Sequence, residues 1–384
     1  MKVAVVWGTR PEVIKLAPVV RALRVTPLEV DCINTGQHWD LSIDAEEAMD
    51  VTARHRARHP VTYHRFSDKL GAYSGFVEGV IERTSETTSE PYSAIICQGD
   101  TASTLAAAMA GFHQRIPVVH VEAGLRSMNP AEPWPEEMHR RLITQLATLH
   151  CCPSREAKGH VTTELGVLNN KDVVYTGNTI VDAVQWRMRQ TLAGKNLGLN
   201  SKEFVLVTHH RRENESWIDE FVLGLIQFAH MYPSIDILFP QHPNTDLEDI
   251  TKRAIDRAKA RGFSTPENLY MPGPFGYFDF LTAMYQCKFV VSDSGGVSEE
   301  AAILKKHQLI TRMTTERPEL VDWGFADQIR SETAGDVLSR MQVLLHKKCP
   351  PQVGPHEHPF GRPGAGIRTA QAICNLLHVS HEAH

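Results

Sequence analysis

The chain has 384 residues, 42% of them hydrophobic and 22% charged, with a formal net charge of −5. That length exceeds one comfortable core and predicts two domains, and the balance is that of an ordinary globular protein, neither disordered nor fibrous. Cations and anions are interspersed without a basic block, which argues against nucleic acid or an anionic membrane surface as the main partner. No apolar run approaches the roughly 18 residues of a membrane-spanning helix.

The N-terminal MKVAVVWGTRPE carries one lysine and an apolar run too short for a secretory signal, so KVAVVW (2–7) reads as a first buried strand. Gly8 suits a tight turn and Pro11 the first turn of a helix, where a missing N–H costs nothing. Arg10 and Lys15 then stand at a helix N-terminus, either as surface cations or as holders of an anion. LEVDCIN (28–34) is a second strand and SAIIC (93–97) a third. The third leads into QGDTASTLAAAMAG, where Asp100 sits at the strand end, Thr101 or Ser103 caps a helix, and the alanines permit close helix–sheet packing. Asp100 reads equally as a cap or as a functional carboxylate.

PVVHV (117–121) opens the most acidic stretch, HVEAGLRSMNPAEPWPEEMHRR. Glu122 follows the strand directly, and a loop stiffened by Pro130, Pro133 and Pro135 delivers Glu136 and Glu137 to a helix start. Acids there complement the helix dipole. Yet Asp100, Glu122 and Glu136 all fall on strand ends or loops at one edge, and like charges gathered in a cleft tune carboxylates for proton transfer. Arg140, one turn after Glu136, is placed to orient it.

DVVYT (172–176) closes the first series of strands, and a helical stretch (178–193) with a polar linker (194–203) sets a domain boundary near residue 178. The second series is FVLVTH (204–209), IDILF (235–239), NLYM (268–271), KFVVSD (288–293) and QLITR (308–312). Val- and Ile-rich runs spaced by helices predict parallel βαβ units. The fold class is therefore α/β, with two Rossmann-like domains (1–177 and 178–357) facing a central cleft, and ligands expected beyond the carboxyl ends of the strands. EHPFGRPGAG (357–366) breaks the pattern before a last helix.

His209 and His210 end the first strand of the second series, followed by Arg211 and Arg212, a set that suits acid–base work beside a phosphate or a salt-bridged loop. In SDSGGVSEEAAILKK, the turn Ser294-Gly295-Gly296 offers backbone N–H groups at a helix start. Glu300, read as lying in the first helical turn, is within reach of a ribose; the alternative is a simple βα turn. TTERPE (314–319) adds a cationic loop. Seven scattered cysteines without a CxxC pair read as reduced thiols of a cytoplasmic protein, and the tail HVSHEAH reads as a solvated terminus in preference to a metal site. Carboxylates in one half and a phosphate cradle in the other fit a nucleoside-diphosphate substrate whose attached group exchanges a proton.

The blocks GTRPEVIKLAP, QGDT, HVEAGLR, PWPEE, GNTIVDA, HHRRE, SDSGG, EEA and TTERPE, in order over about residues 1–378, resemble the non-hydrolysing UDP-N-acetylglucosamine 2-epimerases. The resemblance implies a B-type glycosyltransferase-like fold, a homodimer, a final segment (358–384) crossing back onto the first domain, and no metal or other cofactor. It implies anti elimination of UDP to a 2-acetamidoglucal and re-addition with a proton on the opposite face of C2. Asp100, Glu122 and Glu136 would transfer protons and His210 would assist the leaving group. Arg10, Lys15, Arg140, Ser294, Gly295, Gly296 and Glu300 would hold the substrate, with Phe280 by the uracil. Gln37 and His242 match a second site where bacterial relatives bind substrate as activator. Departures are His209 where Gly is common, Ser298 for Gln and His139 for Asn, and they suggest altered substrate choice or activation. Rival readings are a 2-epimerase of another UDP-2-acetamido sugar, such as a diacetamido uronic acid, a hydrolysing epimerase, a glycosyltransferase and a non-catalytic UDP-sugar sensor.

Overall fold

The computed structural model describes residues 1–59, 65–88, 90–166, 173–190, 199, 201, 203–209, 216–241, 245–313, 315, 318–347 and 360–379. They group into two compact units, Met1–Arg187 with Phe360–His384, and Met188–Pro359.

In the first unit, strands β1 (Lys2–Trp7), β2 (Glu29–Asn34), β3 (His55–Arg56), β4 (Tyr92–Gln98), β5 (Val118–Val121), β6 (Leu149–Cys152) and β7 (Val173–Tyr175) form one sheet. Its order is β3-β2-β1-β4-β5-β6-β7, and all pairings are parallel. The helices are α1 (Arg10–Leu23), α2 (Trp39–Ala48), α3 (Phe66–Thr88), α4 (Ala102–His113), α5 (Glu136–Leu146), α6 (Arg155–Leu165) and α7 (Thr179–Gln190). Every residue of β1 is buried, as a central strand covered on both faces requires. Ile33, Ile95 and Val118 of the sheet pack with Val77, Ile81, Leu105 and Ile143 of the helices. The alanines of α4 let it lie close: a Cβ on Gly111 would stand 2.6 Å from Val118 Cγ2.

The second unit has β8 (Phe204–Thr208), β9 (Asp236–Leu238), β10 (Leu269–Tyr270), β11 (Phe289–Ser292), β12 (His307–Ile310) and β13 (Ala326–Gln328) in the order β10-β9-β8-β11-β12-β13, again parallel. With it go α8 (Ile218–Met231), α9 (Thr245–Ala260), α10 (Tyr277–Gln286), α11 (Gly295–Ile303), α12 (Pro318–Asp322) and α13 (Ala334–His346). Val205, Val207, Phe289 and Val291 pack against Phe221, Phe228 and Met341.

The division after Arg187 lies beyond the position near 178 read from the sequence. The reason is local. Helix α7 buries Ile180, Val181 and Val184 in the first unit, and Asp182 on it accepts from Gly364 N (2.6 Å) and Gly366 N (2.7 Å). Those amides begin the last helix, α14 (Ala365–Leu376), which lies so close on α1 that a Cβ on Gly366 would meet Pro18 O at 2.7 Å.

The strand order reverses between β1 and β4 in one sheet and between β8 and β11 in the other. Crevices at the carboxyl ends there are where open parallel sheets bind ligands. Gly8–Arg10 and Gly99–Asp100 stand at the first reversal; His209 and Asp293–Ser294 stand at the second. Among the described residues no helix is long and apolar enough to cross a membrane, and no cluster of three or more His, Cys, Asp or Glu is arranged to hold a metal. The six cysteines among the described residues, Cys32, Cys97, Cys151, Cys152, Cys287 and Cys374, are free and buried.

Candidate active site

The site in the first unit begins with Glu12, three residues past the Thr9 that precedes α1. Its Oε2 accepts from Gly8 N and Thr9 N, both at 2.7 Å, and its Oε1 from Thr101 Oγ1 (2.5 Å) and Thr104 Oγ1 (2.7 Å). Full burial raises its pKa, and these bonds only partly offset that. The carboxyl group thus ties the turn after β1 to the start of α4. Gly8 is needed there, because a Cβ would lie 2.2 Å from both Ser103 Oγ and Thr35 Oγ1.

Thr101 caps α4 by accepting from Thr104 N at 3.1 Å, so Asp100 is not the cap. Instead its Oδ2 accepts from Arg140 Nε at 2.8 Å and forms an ion pair with Nη2 at 2.7 Å. Arg140 also reaches Glu137 Oε2 at 3.4 Å. Oδ1 of Asp100 has no hydrogen bond among the described residues. The main chain of this turn is held as well: His120 Nε2 lies 2.7 Å from Gly99 O and His139 Nδ1 lies 2.8 Å from Asp100 O. A carbonyl only accepts, so both ring nitrogens carry the proton. Burial, with nearby His150, Arg126 and Arg140, pushes the His120 pKa down to about 3, so that ring is neutral.

Glu122 adopts φ +66°, a left-handed conformation that costs a non-glycine residue about 1–2 kcal/mol. Its side chain compensates by fixed contacts: Oε1 meets Lys15 Nζ at 2.5 Å and Oε2 accepts from Gln98 Nε2. Gly124, two residues on, has φ +90°, and a Cβ there would stand 2.1 Å from Ala157 O. Glu136 begins α5 half-buried, and its carboxylate has neither a hydrogen bond nor an ion pair among the described residues.

In the second unit Ser294 precedes α11, which Gly295 and Gly296 begin. Among the described residues, a Cβ on Gly296 would meet only Ser294 Oγ, at 4.0 Å. Ser298 Oγ donates back to Ser294 O at 2.9 Å and steadies the first turn. The buried His209 sets Nδ1 3.4 Å from Asp293 Oδ2 and stacks on Phe221 with centroids 5.8 Å apart. Phe280, half-buried, packs against a cluster containing Leu206, Leu238 and Met284.

The UDP-N-acetylglucosamine 2-epimerase family model matches residues 21–374, across both units. The chain belongs to this family. A UDP-N-acetylglucosamine 2-epimerase of Neisseria meningitidis serogroup A is 31% identical over 94% of this chain and 96% of its own. Among solved structures, the S. aureus MnaA–UDP co-structure superposes with a TM-score of 0.83 at 27% identity, covering 100% of this chain and 98% of that one. The N. meningitidis UDP-GlcNAc 2-epimerase bound to UDP-GlcNAc gives 0.79 at 28% identity, covering 98% and 99%.

Against the expectations for an epimerase of this family, Asp100 and Glu122 share a neighbour: both carboxylates act on the Arg140 charge. Arg140 does not orient Glu136 and is committed to Asp100 and Glu137, because a guanidinium at that point of α5 faces the buried turn after β4. Lys15 is paired with Glu122, whereas Arg10 makes no ion pair or hydrogen bond among the described residues. Glu300 lies in the second turn of α11, buried; no acid occupies the first turn, since Gly295, Gly296, Val297 and Ser298 precede the acids. Gln37 accepts from Ser103 N (3.0 Å) and Ser103 Oγ (2.8 Å) and so serves the start of α4. His210, Arg211, Arg212, His242, Thr314, Glu316 and Arg317 lie outside the described residues. Two residues of this site were not singled out by sequence: Glu12, although the spacing Thr9-x-x-Glu12 is a capping-box signature, and Gln98, the first residue of the QGDT block.

Proposed function

We propose that this chain interconverts UDP-N-acetylglucosamine and UDP-N-acetylmannosamine by anti elimination and re-addition of UDP. The C2–H bond breaks as the C1–O bond to UDP breaks, giving UDP and 2-acetamidoglucal. Re-addition remakes the C1–O bond while a proton enters the other face of C2. A weakly acidic C–H needs a positioned base on one face and an acid on the other.

The observation that supports this reading is the unequal engagement of three carboxylates at neighbouring strand and helix ends. Asp100 keeps Oδ1 without a hydrogen bond and Glu136 has no bonded partner among the described residues, while both oxygens of Glu122 are taken. In this reading Asp100 and Glu136 exchange the C2 proton and Glu122 holds Lys15 in place. Arg10, the Ser294–Gly296 turn with its helix dipole, Glu300 and Phe280 bind the nucleotide, and His210 assists the departing phosphate. Relatives solved with UDP or UDP-GlcNAc, and curated relatives named for this activity, favour this substrate.

Incubation with UDP-GlcNAc in deuterated water, followed by NMR, tests the reading. Deuterium at C2 of both epimers with no free sugar is the expected result. Free N-acetylmannosamine would instead identify a hydrolysing enzyme, and absence of exchange would point to another UDP-sugar or to binding without turnover.

A further inference from the structure

The turn that carries Asp100 is held by three side chains from two elements. Strand β5 supplies His120, which donates to Gly99 O; α5 supplies His139, which donates to Asp100 O, and Arg140, which holds Asp100 Oδ2. Consecutive residues on a helix diverge by about 100°. His139 and Arg140 nonetheless reach the same residue, because one takes its main chain and the other its carboxylate. The His139 side chain is buried, and its ring stacks on Phe66 with centroids 5.5 Å apart and planes 27° from parallel. Helix α5 does not depend on this bond for its seat, since Ile143 and Thr144 are fully buried on the same helix.

We propose that His139 is a positioning residue for Asp100: it pins the Asp100 carbonyl, so that Arg140, holding Oδ2, leaves Oδ1 aimed in one direction. With the main chain fixed at the carbonyl and one carboxylate oxygen clamped, rotation about the Asp100 side-chain bonds is closed off. Phe66 fixes the plane of the imidazole and therefore the direction of its Nδ1–H. The proposal rests on the epimerase reading for the part Asp100 plays, not for the clamp itself.

His139→Phe keeps the ring and the stack but removes the donor. Misplacement of a reacting group by about 1 Å is worth about 100-fold in rate, so kcat on UDP-GlcNAc should fall by about tenfold to hundredfold. KM should stay within about twofold, because no substrate contact is removed. His139→Asn keeps a donor at the same distance along the side chain, Nδ2 in place of Nδ1, but loses the ring that stacks on Phe66, and should recover part of kcat. An unchanged kcat in His139→Phe, or equal losses in the Phe and Asn variants, overturns the proposal. Ring-nitrogen NMR of the wild-type protein is independent of turnover and of whether a variant folds. A proton on Nδ1 of His139 supports the clamp; a neutral ring protonated on Nε2 alone refutes it. If the wild-type protein does not turn over UDP-GlcNAc, the proposed reaction fails, and the ring-nitrogen measurement still decides the clamp.

Discussion

Removing Lys15 should separate what holds Glu122 from what uses it. The two side chains are 12% and 8% exposed and meet at 2.5 Å, so water screens the pair little. Lys15→Met leaves the Glu122 carboxylate with Gln98 as its remaining partner, at a backbone conformation of φ +66° that is itself unfavourable. Loss of one charge-assisted hydrogen bond costs about 1.5–3 kcal/mol, and stranding one partner of a fully buried pair about 3–5 kcal/mol. The residual exposure places this case at about 2–4 kcal/mol. Glu122→Gln alone leaves an ammonium facing an amide, which still accepts a hydrogen bond, and should cost about 1–2 kcal/mol. The double variant removes both charges and should be more stable than Lys15→Met, giving a coupling energy of at least about 1–2 kcal/mol in a double-mutant cycle. Urea unfolding of the four proteins measures it. A coupling below about 0.5 kcal/mol, the usual limit of additivity, would refute the idea that Lys15 anchors Glu122.

Three further outcomes follow from the same geometry. Gly124→Ala should destabilise the fold by several kcal/mol or abolish it, seen in thermal melts, because the new Cβ would enter the Ala157 carbonyl at a φ of +90°. Arg140→Lys keeps a charge but loses the fork that grips Oδ2; kcat should fall about tenfold or more, with a smaller change in KM, because a lysine ammonium cannot reproduce two fixed donors. His120, with its folded pKa near 3 against an ordinary 6.5, should make stability fall as pH drops. Between those values the unfolded chain takes up a proton that the folded ring refuses, so this group contributes a loss of up to about 1.4 kcal/mol per pH unit. In urea titrations from pH 6.5 to 4.5, His120→Gln should show a shallower dependence than the wild type; equal slopes would contradict the burial of a neutral ring.

The α/β class, most strands and the ends that carry acids were legible in the sequence, because a central parallel strand must be an apolar run and its carboxyl end must be a polar turn. KVAVVW, SAIIC and KFVVSD show this directly. Strands β3, β6 and β13 were not legible: they run two to four residues, and polar side chains such as His150 are satisfied only by tertiary partners, in that case Thr144 O at 3.0 Å. Pairing likewise needed the fold. Periodicity put Arg140 one turn from Glu136, which is true, but helical spacing says nothing of what lies opposite the helix, and the turn after β4 presents Asp100 there. The same limit hid Lys15 beside Glu122, 107 positions away. Sequence alone thus settled which chemical groups stand at the ends of the strands, since that follows from burial along a single segment. Only the packed structure decided which of those groups are already engaged and which keep a lone pair to offer, since that depends on distances between segments far apart in the chain.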